Sequence, residues 1–508
     1  MSRSGPLRWA AVSVLGMTAA CGGLTSRGDD APAGPNGGSA GPGGAQSDAG
    51  IPEAADCVTN PVPTSSSWAS RFGDEVDQNA EGVALDACGN TTIVGSFFGT
   101  VDFGGGPLAN QDYVVLFPDL FLASFDALGK PRWSRRLGEG DWNWWRRLAA
   151  TAEGHVVVVG GFTGAADFGG GPVTVNDIGP DVFIAKYDAN GQHLWSHTYG
   201  SKYDSDSASS VAVTSDGGTV VTGRFGGSIT FGPKTLTGFS GGLFPRDGFV
   251  VRLDDAGEVS WSRAITASGG EGVLLGTVAA ASHGGVVVLG SFNGDMTLDG
   301  SELHAEGYEF DGFIMALDGA GSVTWVHQFA TGEVFPSDCA VGADGSVTVV
   351  GTAKGEVDLG GGILDAGQGA LFVSKRKPNG EYLLGELLAV GSLHAVSASL
   401  DGLGHLVVAG RYEGDLTFGD VSLPAPDVPT GFVASFDANG KALWARMLAG
   451  STGVQLSAHQ SGLALTGGFQ GELNVAGATF TSSGYVPGTA NGGDVFVART
   501  TPSDSGPW

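Results

Sequence analysis

Basic residues are scarce in this chain. Lys and Arg together number 25 among 508 residues, against 53 Asp and Glu, for a formal net charge of −28. Nucleic-acid binders need clustered cations to displace counterions, so this balance argues against a phosphate-binding surface. Cysteine is scarcer still, at four, too few for a disulfide scaffold. The nine histidines are scattered, with no H-E-x-x-H and no Cys-His zinc spacing. Two G-x-S-x-G matches, at Gly37 to Gly41 and Gly238 to Gly242, lack the strand-to-helix setting of a nucleophile elbow. Long apolar runs are missing as well. The stretch from Trp9 to Ala20 is too short to span a bilayer.

Glycine is abundant, at 89, and the aromatics fall in register. The unit DVFIAKYDANGQHLWSHTYG, Asp181 to Gly200, joins two alternating runs through a D-A-N-G turn and reads as a β-hairpin. Copies begin at Asp119, Asp247, Asp311 and Gly431, and a weaker one at Leu371. Three markers recur at a spacing of roughly sixty residues. The first is Trp68, Trp133, Trp195, Trp261, Trp325, Leu384 and Trp444. The second, after a glycine-ended strand, is Phe97, Phe162, Phe225, Phe292, Ala353, Tyr412 and Phe469. The third is Phe121, Phe183, Phe249, Phe313, Phe372, Phe432 and Phe496.

Each period holds four strand candidates and no helical periodicity, the pattern of a β-propeller blade. The chain opens on a tryptophan strand, SSWASRFG, with no partner before it. It closes on DVFVART with no tryptophan strand after it. The sequence therefore predicts an all-β, seven-bladed β-propeller over residues 67–500. Strands from both ends would share the last blade, which removes an exposed seam.

Several flanking features are expected from the sequence. Arg3 and Arg8 before the apolar run, and T-A-A before Cys21, mark residues 1–20 as an export signal. The segment resembles a bacterial lipoprotein signal, with Thr18 where that family carries Leu, and the resemblance implies a lipid on Cys21. Cleavage after Ala20 as an ordinary secretory signal is the other reading. Residues 21–66, rich in Gly, Pro, Ala and Ser, are expected to be a disordered tether, and residues 501–508 a disordered tail. A Cys57 to Cys88 bridge would staple the tether to the first repeat, leaving Cys339 as a buried thiol.

VALDACGNTTIVGSF at Val83 to Phe97 and VAVTSDGGTVVTGRF at Val211 to Phe225 resemble bacterial SBBP-type β-propeller repeats. The DANGKALW pattern also resembles the tryptophan-docking motifs of quinoprotein-like propellers. The first resemblance implies an exported or surface protein and says little about chemistry.

Candidate site residues fall in the long segments between repeats. Trp142, Trp144 and Trp145 with Arg146 and Arg147 form a cluster that no other repeat has, suited to stacking on a glycan or a protein partner. Packing between blades is its alternative role. Asp204 and Asp206 lie in an acidic loop able to ligate calcium, or simply to be solvated. No catalytic residue is assigned. Three functions remain open: a cell-surface binding or scaffold module for a protein or polysaccharide, most simply a monomer in the cell envelope, anchored at the outer membrane or released outside; a propeller-type enzyme, carbohydrate-active or quinoprotein-like; and a structural envelope component.

Overall fold

The computed structural model describes residues 67–110, 118–138, 146–175, 179–201, 204–238, 247–281, 284–305, 310–329, 331–459, 461–483 and 493–500. Among these, every regular element longer than a turn is a β-strand.

The repeating unit is an antiparallel meander. Gln78–Leu85, Thr91–Phe97, Asp119–Phe125 and Pro131–Arg136 pair in chain order. The next two meanders start at Arg147–Ala150 and Ser207–Val213, and a fourth starts at Ala267–Ala280. Glu333–Val341 begins a wider sheet in which Tyr382–Leu400 pairs with Ala370–Arg376 on one side and with Leu406–Phe418 on the other. This long strand ends one meander and begins the next. The final sheet joins Gln455–His459, Gly462–Phe469 and Asp494–Thr500 to Trp68–Phe72, with Trp68 opposite Arg499 and Phe72 opposite Val495. The first and last strands of the described chain are thus neighbours in one sheet.

The second and third strands of each meander are buried almost along their whole length, as in Val156–Phe162 and Asp247–Leu253. Both faces of each sheet are covered, so these strands read as near-continuous apolar runs. The apolar clusters lie between successive sheets. One combines Val94, Leu120 and Leu122 with Val158, Phe162 and Phe183 of the following meander. Another sets Phe97 and Phe121 against Ala464, Val495 and Val497 of the final sheet. The third-marker phenylalanines, Phe121 to Phe496, are all fully buried.

The tryptophans play a different part. They are half-buried, and the indole Nε1 of one meander donates to a turn carbonyl of the next. Trp68 donates to Ala127 (3.2 Å), Trp133 to Ala189 (3.0 Å), Trp195 to Asp255 (3.1 Å), Trp261 to Gly319 (3.0 Å) and Trp325 to Pro378 (2.8 Å). Four of the five receiving turns are D-x-x-G and are held by their aspartate: Asp188 Oδ1 accepts from the amides of Asn190 and Gln192, and Asp126, Asp254 and Asp318 do the same, whereas Trp325 meets the turn Lys377 to Gly380. The turn glycine lies flat on the ring. At Gly129, with φ +80°, a Cβ would sit 2.6 Å from the Trp68 indole. At Leu384 there is no indole, and the corresponding turn glycine, Gly440, faces the side chains of Glu386 and Leu388.

The four strands of each meander are not the whole of the period. Between the second and third strands of each repeat lies a further two-stranded hairpin, such as Thr100–Asp102 with Pro107–Ala109 and Ser228–Phe231 with Lys234–Thr237. Its alternating apolar residues point into the inter-sheet core: Val101 and Phe103, Ile229 and Phe231, Leu416 and Phe418, Leu473 and Val475 are all buried.

Candidate functional site

The first strands of the meanders touch one another in cyclic order. Gln78–Leu85 meets Arg147–Ala150, followed by Ser207–Val213, Ala267–Ala280, Glu333–Val341, Tyr382–Leu400 and Gln455–His459, which returns to Gln78–Leu85. Together they wall a cavity of about 350 Å³. A β-propeller arrangement, with sheets radiating from a shared axis, follows from this convergence.

The second strand of each repeat carries a glycine at one fixed position, Gly95 in the first. No Cβ fits there: one built on Gly95 would lie 2.1 Å from the carbonyl oxygen of Asn79. The close approach goes with a bulge in the facing strand, between Ala80 and Gly82, with counterparts at Ala208/Ser210, Pro336/Asp338 and His394/Ser397. The residue that follows each of these bulges reaches the cavity wall, as do its counterparts in the other inner strands. Gly82, Arg147, Ser210, Thr277, Asp338, Ser397 and Gln455 all line it, one from each of the strands in the cycle.

This layer is polar and carries one charge of each sign. Arg147 and Asp338 are separated by two intervening strands, Ser207–Val213 and Ala267–Ala280, so they approach the cavity from different sides. Arg147 Nη1 donates to the carbonyls of Glu81 and Arg146, both at 3.1 Å. Asp338 accepts from the amide of Cys339 through Oδ1 (2.9 Å) and from that of Ala398, in the next inner strand, through Oδ2 (2.8 Å). Burial lifts the Asp338 carboxyl to about 6, against the pull of these bonds and of Arg147. Burial likewise lowers Arg147, opposed by the charges of Asp338 and Glu81. Hydroxyls tie neighbouring inner strands together: Thr277 Oγ1 donates to the Ser337 carbonyl (2.9 Å), and Ser210 Oγ accepts from the Val278 amide (3.2 Å).

A second hollow of about 240 Å³, lined by Asn79, Glu81, Thr452 and Gly453, shares Arg147 and Gln455 with the cavity. It opens on the end from which the strands Gln78–Leu85 and Arg147–Ala150 start, the side of the long connecting segments. Cys339 lines the cavity, but burial and then the Asp338 charge hold its thiol well above its ordinary value, so it is no nucleophile. Asp338 is the one carboxylate among the described lining residues of the cavity. Paired carboxylates for sugar hydrolysis are not assembled there.

The residues expected to carry function are distributed differently. Arg146 is buried, its Nη1 held by Glu81 Oε1 at 2.5 Å, so its guanidinium is committed inside the protein. Its neighbour Arg147 is the arginine that reaches the cavity. Asp206 is fully buried and accepts from the amides of Ser201 (2.9 Å) and Gly226 (3.0 Å). Burial raises its carboxyl to about 7. Asp204 accepts from Ser201 Oγ at 3.2 Å. Among the described residues, no group of three or more His, Cys, Asp or Glu side chains is placed to hold a metal ion. Cys88 is buried. Cys21, Cys57, Trp142, Trp144, Trp145, the export signal, the tether and the C-terminal tail lie outside the described residues.

No protein-family model matches the sequence, and no curated protein matches it. Solved structures similar to the chain include a protein of unknown function from Dyadobacter fermentans, at 10% identity and a TM-score of 0.40, covering 86% of this chain and 100% of that one. The polysaccharide lyase Uly1 is similar at 9% identity and a TM-score of 0.40, over 81% of this chain and 88% of that one. YCF48, solved with a D1 peptide, is similar at 12% identity and a TM-score of 0.32, over 68% of this chain and 88% of that one. These likenesses name no ligand for this chain.

Proposed function

We propose that this chain is an exported, lipid-anchored, seven-bladed β-propeller that binds a hydrophilic ligand at its axial cavity and serves as a cell-surface binding module. The cavity's polar layer supports this reading: one strand of every repeat contributes a residue to it. Residues at the equivalent position are Gly, Arg, Ser, Thr, Asp, Ser and Gln, a varied polar set inside a uniform scaffold. Its volume, about 350 Å³, falls in the range of small-ligand sites. The pairing of Trp68–Phe72 with Asp494–Thr500 supports a ring closed by both chain ends. Partners at the surface are a protein or a polysaccharide presented to the cavity mouth beside Glu81 and Arg147.

The test is thermal unfolding of the full chain with polysaccharide and peptide panels, since a ligand of the native state alone raises Tm. A rise that disappears in Arg147→Gln places binding at the cavity. A rise unchanged in that variant moves the site elsewhere. For the anchor, Cys21→Ser should shift the protein from the membrane to the soluble fraction, and an unchanged distribution would overturn the lipid.

A further inference from the structure

We propose that the axial cavity is a site for a small zwitterion, a group carrying a carboxylate and an ammonium a few bonds apart, with Arg147 taking the carboxylate and Asp338 the ammonium. The inference rests on reading this cavity as the binding site and adds the chemistry of its ligand.

Charge matching in a confined space carries the argument. The described lining contains one cation and one carboxylate, which approach from strands separated by two others in the cycle. A simple carboxylate entering the cavity gains Arg147 but is repelled by Asp338, and a simple amine meets the reverse. Arg147 and Asp338 already act on each other across the cavity, and a neutral polyol between them would offer neither an opposite charge. A zwitterion alone offers each wall its opposite.

The remaining lining fits such a guest. Ser210, Thr277, Ser337, Ser397 and Gln455 supply hydroxyl and amide groups between the two charges. Val83, Leu148, Val211, Val278 and Leu456 add apolar surface where a short aliphatic side chain would rest. Each charge is braced from behind: Arg147 by the Glu81 and Arg146 carbonyls, Asp338 by the Cys339 and Ala398 amides. A braced side chain loses little freedom on binding. Cys339, the third titratable group of the lining, stays a neutral thiol, and Glu81 with its partner Arg146 stands at the adjoining hollow. Protonation of Asp338, whose carboxyl burial raises to about 6, removes the site's anion. Zwitterion binding therefore weakens as pH falls through that value.

The experiment is calorimetric titration of the full chain with glycine, β-alanine and γ-aminobutyrate, alongside acetate, ethylamine and glucose. At pH 7.5 at least one zwitterion should bind more tightly than acetate, ethylamine and glucose, and its affinity should fall below about pH 6. Asp338→Asn should weaken the zwitterion about 10- to 100-fold while strengthening acetate, and Arg147→Gln should weaken it similarly while strengthening ethylamine. This exchange of preference cannot come from misfolding, and the unliganded Tm of each variant checks the fold independently. Equal binding of acetate or glucose would overturn the zwitterion while leaving the cavity a binding site. Binding of none of the six would overturn the zwitterion, and the polysaccharide and peptide panels would then decide separately whether the cavity is a binding site.

Discussion

Arg71 in the first described strand forms an ion pair with Asp494 at the start of the last described one. Asp494 is fully buried, Arg71 about one-third exposed. The carboxylate also accepts from the Ser483 amide. Burial still dominates and raises the Asp494 carboxyl, opposed by the Ser483 amide and by Arg71. Removing Arg71 leaves a buried acid without its cation. Arg71→Ala should lower stability by about 1–3 kcal/mol in urea unfolding. The exposed pair Lys377 and Glu381 is the control, where Lys377→Ala should cost little. Equal effects would mean that the junction of these two strands is not specially stabilised by this pair.

Trp195 and Phe183 separate clamp from core. Phe183 is fully buried between sheets, and Phe183→Ala should cost about 3–5 kcal/mol. Trp195 is half-buried, packs partly against its neighbours and donates one hydrogen bond to Asp255. Trp195→Ala should cost less, about 2–3 kcal/mol. Trp195→Phe keeps most of the packing and loses the bond, for about 1 kcal/mol. Denaturant midpoints ranked in any other order would contradict this division.

The scaffold was legible because its residues repeat for one reason everywhere. A phenylalanine such as Phe121 or Phe313 faces the same inter-sheet space in each copy, and the D-x-x-G turn needs the same aspartate and glycine. The extra hairpins left a fainter trace, since Val101 with Phe103 and Leu473 with Val475 share only alternation and a following turn glycine. The cavity was not legible as a motif. Its layer holds Arg147 in one copy and Ser210 in the next, so no pattern recurs. Aligning the copies on the glycine of the second strand, from Gly95 to Gly467, and reading the residue opposite its predecessor would have isolated the layer. The cluster around Trp142 points to Arg146, yet it is Arg147, the first residue of its strand, that lines the cavity.

Gly129 and Gly106 test the docking of turn on indole. Both have positive φ, +80° and +107°, so alanine is strained at either. At Gly106 the Cβ would meet open space, whereas at Gly129 it would strike the Trp68 ring. Gly106→Ala should cost about 1–2 kcal/mol from backbone strain, and Gly129→Ala clearly more. In a Trp68→Ala background the excess at Gly129 should vanish, because the obstructing ring is gone. An excess that persists would mean that the turn, not its contact with Trp68, resents the methyl group.

His327 sets a pH dependence whose sign can be worked out. Its ring packs edge-on against Phe329 with Nε2 buried and unbonded. Burial, aided by the charge of Arg376, lowers the imidazole to about 4. The unfolded value is about 6.5. Between these values the unfolded chain binds a proton that the folded one refuses, so the contribution to stability is fully present above pH 6.5 and lost as pH falls towards 4. Asp206 works in the opposite sense. Its folded carboxyl, raised to about 7, keeps a proton that the unfolded one releases near 3.9, so its contribution falls as pH rises through that window. The wild-type profile therefore sums slopes of opposite sign, Asp338 adding to that of Asp206, and a difference measurement isolates that of His327. His327→Phe should gain stability relative to wild type as pH drops from 6.5 to 4, then level off. Parallel unfolding curves for the two proteins across that range would show that His327 is protonated equally in both states.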